Sequence, residues 1–159
     1  MKTKIVLVGK AASGKDYLKK KLIKQGVQFG ISTTTRPPRE GEVDGVDYHF
    51  VNKNQFLTYV DHGLIVFYQE FNDHYYGITK EEFKACDAVI LNVEVLNKMS
   101  AEMRKHLFVI YLNIDILVRM ERMKERDLSS KNVNQRIYVD NKQYEGFTNY
   151  DLMITNPNF

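Results

Sequence analysis

The feature that most constrains this chain is the junction KIVLVGKAASGKDYLKKKLIKQ, residues 4–25. Residues 4–8 read as a short buried strand, glycines bound a loop over residues 9–14, and residues 15–25 read as a helix with Leu18, Leu22 and Ile23 facing inward. A strand that passes through a glycine loop directly into a helix belongs to α/β architecture, in which a parallel sheet is wrapped by helices. At 159 residues the chain has room for one such domain and too little for two.

The remaining pattern fits that class. The stretch VQFGIS (27–32) predicts a second strand, and residues 33–51 an irregular excursion with two prolines that closes in a strand over 48–51. Asn52 with Gln55, and Thr79 with Glu82, have the spacing of capping boxes. The first opens a helix with Phe56, Leu57 and Val60 on its apolar face that stops at Gly63, and the second a short helix ending near Cys86. Strands are expected from Leu64 (LIVFYQEF), over 88–95 (AVILNVEV) and over 107–114 (LFVIYLNI), with a last one at 152–155. Helices are expected at 99–106, 114–126 and 132–146. The organisation that results is a core of residues 1–32 and 79–159, a small β-rich insertion at about 33–78, and a helical lid at about 122–136.

The spacing Gly9, four residues, Gly14, Lys15 is that of a Walker A phosphate loop in all but its final hydroxyl. Gly9, Ala12, Ser13 and Gly14 let successive backbone N–H groups turn toward phosphate oxygens, the following helix adds its dipole, and Lys15 reaches the β- and γ-phosphates of a nucleoside triphosphate. Asp16 occupies the place of the usual serine or threonine. It either holds Mg²⁺ through water or serves as a first-turn helix stabiliser.

Charge and composition narrow the partners. With 23 basic and 20 acidic side chains the net charge is +3, too balanced for a chain whose task is neutralising a nucleic-acid backbone. The lysines at 19, 20, 21 and 24 read as a solvated helix face. The apolar run at 5–8 is too short for a signal peptide, and no segment approaches a membrane span, so neither nucleic acid nor membrane is an expected partner. The single cysteine, Cys86, fits a reducing, cytoplasmic setting. The four histidines have no ligand or triad spacing.

At STTTRPPREGEVDGVDYHFV (32–51), followed by HYYG (74–77), the sequence resembles guanylate kinases, and the resemblance runs from Val6 to Asn156. It implies a P-loop nucleoside monophosphate kinase that uses Mg²⁺ and ATP, acting as a monomer or homodimer. Arg36 and Arg39 match the arginines that grip the acceptor phosphate, and Tyr48 and Tyr76 match its tyrosines. Two guanidinium groups separated by Pro37 and Pro38 suit that task independently, because the stiff connection keeps both forks aimed. Arg122, Arg126 and Arg136 resemble the family's lid arginines, although Arg119 lies on the same helical face as Arg122 and a shift of register would exchange them. Asn156 matches an asparagine near the adenine of ATP; a turn before Pro157 explains it equally well.

The base-reading positions depart from the family. Ser32 keeps a hydroxyl, but Phe67 stands where guanylate kinases carry a glutamate that accepts from guanine, and Ile78 where they carry serine or threonine. Gln69 shares the strand face of Phe67 and is the candidate replacement. Asn92 and Glu94 replace two aspartates of the family's "LDID" strand. Three functions remain open: transfer of the γ-phosphoryl group of ATP to GMP or dGMP, the same chemistry on another deoxy or modified nucleoside monophosphate, or a phosphopeptide-binding module that has lost catalysis. Retention of Lys15 disfavours the last. In the enzyme readings, closure of insertion and lid over the substrates excludes water.

Overall fold

The computed structural model describes residues 2–126 and 129–159. The chain falls into two compact units, the first formed by Met1–Val27 with Ile90–Phe159 and the second by Gln28–Val89.

In the first unit, β1 (Lys4–Gly9) carries the buried run Val6, Leu7 and Val8 and leads through the glycine loop into α1 (Lys15–Lys24). Later in the chain, β7 (Leu107–Leu112) pairs parallel with β1, and β8 (Leu152–Ile154) pairs parallel with β7. With β6 (Ala88–Ile90), whose last residue opens this unit's second segment, the strand order is β6-β1-β7-β8. The crossovers are helical: α4 (Val93–Lys98) and α5 (Ala101–Arg104) before β7, then α6 (Ile116–Glu125) and α7 (Ser130–Gln143) after it. This is the expected parallel sheet with its helices. Met123 of α6 and Val133 of α7 are buried together with Ala12 of the glycine loop, so the two C-terminal helices pack directly against that loop.

The second unit is a four-stranded sheet in the order β3-β2-β5-β4, formed by β2 (Thr33–Thr34), β3 (His49–Phe50), β4 (Ile65–Phe71) and β5 (His74–Thr79). Two helices accompany it. The first, α2 (Lys53–Asp61), has both halves of the Asn52–Gln55 capping box in place; the second, α3 (Lys80–Ala85), is capped by Thr79, whose Oγ1 accepts from Glu82 N–H. The hairpin register sets Phe67 opposite Ile78 and Gln69 opposite Tyr76. Directly opposed residues of an antiparallel pair share a face, so these four project together. On the other face Phe56 of α2 stacks on Tyr75 and meets Tyr68 edge-on.

Several sequence expectations need correction. The run 88–95 is not one strand: Asn92 Oδ1 caps Glu94 N–H and turns the chain into α4, so a side chain that competes for backbone donors overrode the apolar pattern. The stretch 27–32 makes only an isolated bridge, Phe29 with Ala88. Helix 99–106 shrinks to α5, because Ser100 caps it one residue after Met99 has already turned extended. Helix 114–126 starts later, at Ile116, where Asp115 caps Leu117 N–H. Ile23 is exposed rather than inward-facing, and the excursion after residue 33 contains the regular pair Thr33–Thr34.

Candidate active site

The first unit holds a cradle at the end of β1. Gly14 adopts φ +96° and Ala12 φ +58°, left-handed values that curl the loop. A Cβ on Gly9 would come within 2.6 Å of Ser13 Oγ, so the close turn requires glycine there. Helix α1 has no side-chain cap at its N-terminus. Its first N–H groups, which like those of any helix lack intrahelical partners, are therefore not taken up by a capping side chain, the arrangement that receives anions. Ser13 Oγ is buried and, among the described residues, has no hydrogen-bond partner. Lys15 folds its Nζ back onto the carbonyls of Gly9 and Lys10, and burial lowers its pKa from 10.5 to about 8. A neighbouring phosphate would favour the charged form again.

Helices α6 and α7 hold this loop from one side. Arg119 is buried and donates to the carbonyls of Ile114 and Ala11 and to Asp140 Oδ2. Asp140, also buried, accepts from Ala11 N–H at 2.9 Å and pairs with Arg136 Nε at 3.3 Å. Arg122 donates to the carbonyls of Ala12 and Pro157. The register ambiguity between Arg119 and Arg122 thus has a structural content: both reach the loop, Arg119 as a fully buried strut between Ala11 and Asp140 and Arg122, partly exposed, at Ala12. Arg126 is exposed at the end of α6, and Arg136 is partly exposed. Asn156 is exposed, and its Oδ1 accepts from Asn158 N–H in a local turn. Nearby, an open cavity of about 410 Å³ is lined by Lys10, Asn113, Asp115, Arg119, Asn141 and Thr155.

The second unit assembles a different anion site. The Oγ1 atoms of Thr34 and Thr35 clamp the backbone of Tyr75, one accepting from its N–H and the other donating to its carbonyl, and this fixes the position of Tyr76. The Tyr76 ring lies 6.3 Å from Tyr48 in an edge-on contact, and the Arg36 guanidinium sits 5.4 Å from the centre of the Tyr48 ring. Arg36, Tyr48 and Tyr76 are therefore brought together. Arg39 is exposed. At the other end of the same hairpin face Phe67 meets Phe83 edge-on at 5.3 Å, and Ile78 is buried. Gln69 Oε1 is buried without a partner among the described residues. Ser32 is half-buried, and its carbonyl accepts from His49 N–H.

The chain matches the family model described as guanylate kinase over residues 1–159. This chain belongs to the guanylate kinase family. Relatives include the guanylate kinase of Helicobacter hepaticus, 30% identical over 96% of this chain and 81% of its own. That of Sulfurimonas denitrificans is 31% identical over 97% and 80%. Among solved structures, the crystal structure of guanylate kinase from Anaplasma phagocytophilum aligns with a TM-score of 0.66 at 26% identity, covering 98% of this chain and 77% of that one. Family and fold together support a nucleoside monophosphate kinase, a nucleotide-binding phosphotransferase. Among the described residues no helix is long and apolar enough to cross a membrane.

Family members use Mg²⁺ with their nucleotide. The donors present fit an ion held mainly by phosphate and water. Asp16 is exposed in the first turn of α1, and the described residues contain no cluster of three or more His, Cys, Asp or Glu side chains that would cage an ion. Asn92 and Glu94 are engaged in the protein, the first capping α4 and the second accepting from Gln143 Nε2. Two residues escaped sequence reasoning, Asp140 on α7 and Glu42 beside Arg36. Glu42 lies inside the stretch 32–51 that carries the resemblance, six residues after Arg36, which was the available signal; Asp140 is one acidic residue among 20 in a mixed-charge sequence, and no local spacing marks it.

Proposed function

We propose that the chain transfers the γ-phosphoryl group of ATP to GMP or dGMP, giving ADP and the nucleoside diphosphate. The observation that carries this reading is the pairing of two unlike anion sites in one chain. One is a main-chain cradle with an ammonium, Lys15; the other is a guanidinium, Arg36, set against two phenols. A triphosphate donor suits the first and a monophosphate dianion the second.

In this reading Gly9, Ala12, Ser13, Gly14 and Lys15 hold the donor phosphates, and Ser13 Oγ finds the partner it lacks. Asn156 and the cavity beside Thr155 take the nucleoside end. Arg36, Arg39, Tyr48 and Tyr76 hold the acceptor phosphate. A phosphate monoester has its second pKa near ~6, so the attacking oxygen is already ionised at neutral pH and no protein base is required. Catalysis is then alignment of the in-line attack plus cationic stabilisation, with Lys15, Arg122, Arg126 and Arg136 supplying positive charge. Mg²⁺, with Asp16 reaching it through water, would supply Lewis-acid neutralisation of the donor phosphates. Such chemistry fits the nucleotide pools of the cytoplasm.

A second reading, the same transfer onto a different base, is favoured by Phe67 and Ile78. Both are committed to apolar packing where family members present hydrogen-bonding groups, while Gln69 presents a buried, unpaired acceptor on the same face. The experiment is a screen of ribo- and deoxynucleoside monophosphates with ATP and Mg²⁺, following ADP. Fastest release with GMP or dGMP supports the first reading and a different base the second. Binding of monophosphates with no ADP release would overturn both.

A further inference from the structure

We propose that Glu42 is a positioning residue for the acceptor phosphate: it locks one edge of the Arg36 guanidinium so that the opposite edge is presented to the anion. This rests on the reading of Arg36 as a phosphate ligand.

A guanidinium carries five N–H donors in a planar fork. In Arg36, Nη1 donates to Glu42 Oε2 at 2.9 Å and Nη2 to Glu42 Oε1 at 2.9 Å, a bidentate pair across the Nη1–Nη2 edge. The second Nη1 proton goes to the Pro37 carbonyl at 2.8 Å. Three donors are thus used, and the two that remain, on Nε and the outer side of Nη2, lie on one edge. Among the described residues that edge has no hydrogen-bond partner. Two parallel N–H groups match two oxygens of a phosphate as well as they match a carboxylate.

The lock is rigid in three directions. The carboxylate fixes the plane of the group, the Pro37 carbonyl fixes its rotation, and the rings of Tyr48 and Phe50 lie 5.4 and 5.9 Å away, limiting movement out of plane. Glu42 Oε2 also accepts from Arg39 N–H at 2.7 Å, so one carboxylate orients the backbone of the second arginine as well. The side chains of Arg36 and Glu42 are only 11% and 20% exposed, which limits exchange with water. Each group favours the charged form of the other, raising the Arg36 pKa and lowering that of Glu42. A long, flexible arginine that enters binding already ordered loses less rotamer freedom when the dianion arrives.

Steady-state kinetics with ATP and GMP on Glu42→Gln, Glu42→Asp, Arg36→Lys and the double variant Glu42→Gln/Arg36→Lys test this. Glu42→Gln keeps shape and one acceptor but loses the charge, and the expected result is a rise in the KM for GMP of at least about fivefold, with kcat and the KM for ATP changed by less than about twofold. Glu42→Asp should fall between wild type and Glu42→Gln. Because lysine cannot form the fork, the double variant should be no worse for GMP than Arg36→Lys alone. An unchanged KM for GMP in Glu42→Gln, parallel losses for ATP, or additive losses in the double variant would each overturn the proposal while leaving the kinase reading standing. Wild-type protein that transfers to no nucleoside monophosphate would overturn that reading, and the positioning role with it.

Discussion

Lys15 is the residue at which stability and function oppose each other most clearly. Its ammonium is turned inward onto two loop carbonyls, and burial holds its pKa at about 8 against an ordinary 10.5. Each tenfold change in a protonation equilibrium corresponds to about 1.4 kcal/mol, so keeping this group charged at neutral pH costs the fold about 3 kcal/mol. Lys15→Met removes that cost but takes a donor from the carbonyls of Gly9 and Lys10, the second of which still accepts from Ser13 N–H, leaving a net gain on the order of 1 kcal/mol at pH 7. Since the folded-state pKa lies below the unfolded one, the unfolded chain binds more protons between about pH 8 and 10.5. The stability of the wild type relative to the variant must therefore rise across that window. Urea denaturation of both proteins at pH 7 and again near pH 10 measures this directly, and ATP should stabilise the wild type alone. If Lys15→Met is less stable than wild type at pH 7 by more than about 1 kcal/mol, or the difference does not move with pH, the buried ammonium has been misread. Retained turnover in the variant would refute its role at the phosphates.

Other residues make separate predictions. Arg39→Ala should raise the acceptor KM by about 10- to 100-fold, the value of a charge-assisted contact, without a comparable change for ATP; steady-state kinetics check it. Asp140→Asn leaves the buried Arg119 without its counter-charge and should lower stability by about 2 to 4 kcal/mol in denaturant titrations. Gln69→Leu removes a buried acceptor with no partner among the described residues, so it should raise stability by about 1 kcal/mol and at the same time weaken acceptor binding, measured by calorimetry with GMP. Tighter GMP binding in that variant would show that Gln69 does not meet the base.

Much of the core was legible because it is local. The apolar run before Gly9, the glycine spacing and the half-buried Leu18 and Leu22 each depend on neighbours a few residues away, and the strand, loop and helix follow from them. The capping box at Asn52 was readable for the same reason, whereas at Thr79 only the cap itself forms, because the Glu82 carboxylate turns to Ile31 N–H and His49 instead of reaching back. What was not legible depends on partners distant in sequence. The Asp140 carboxylate meets Ala11 N–H, 129 residues away, and Arg119 becomes a buried strut only because α6 and α7 fold over the loop. At 88–95 a continuous apolar run concealed the point where Asn92 turns strand into helix, since buried strands and buried helices share that composition. The role of Phe67 was visible only as a mismatch. The hairpin register and the packing on Phe83 show Phe67 engaged in apolar contact on the face it shares with Gln69 and Ile78.

The central claim is that a phosphoryl group leaves a donor held at Lys15 and arrives on an acceptor held at Arg36. Phosphorus NMR of a mixture of protein, Mg²⁺, ATP and GMP observes both events in one sample. The expected record is loss of the ATP γ signal matched one for one by growth of the β signal of GDP, abolished in Lys15→Met. Appearance of inorganic phosphate in place of a nucleoside diphosphate, with GMP or with any other monophosphate supplied, would contradict the account.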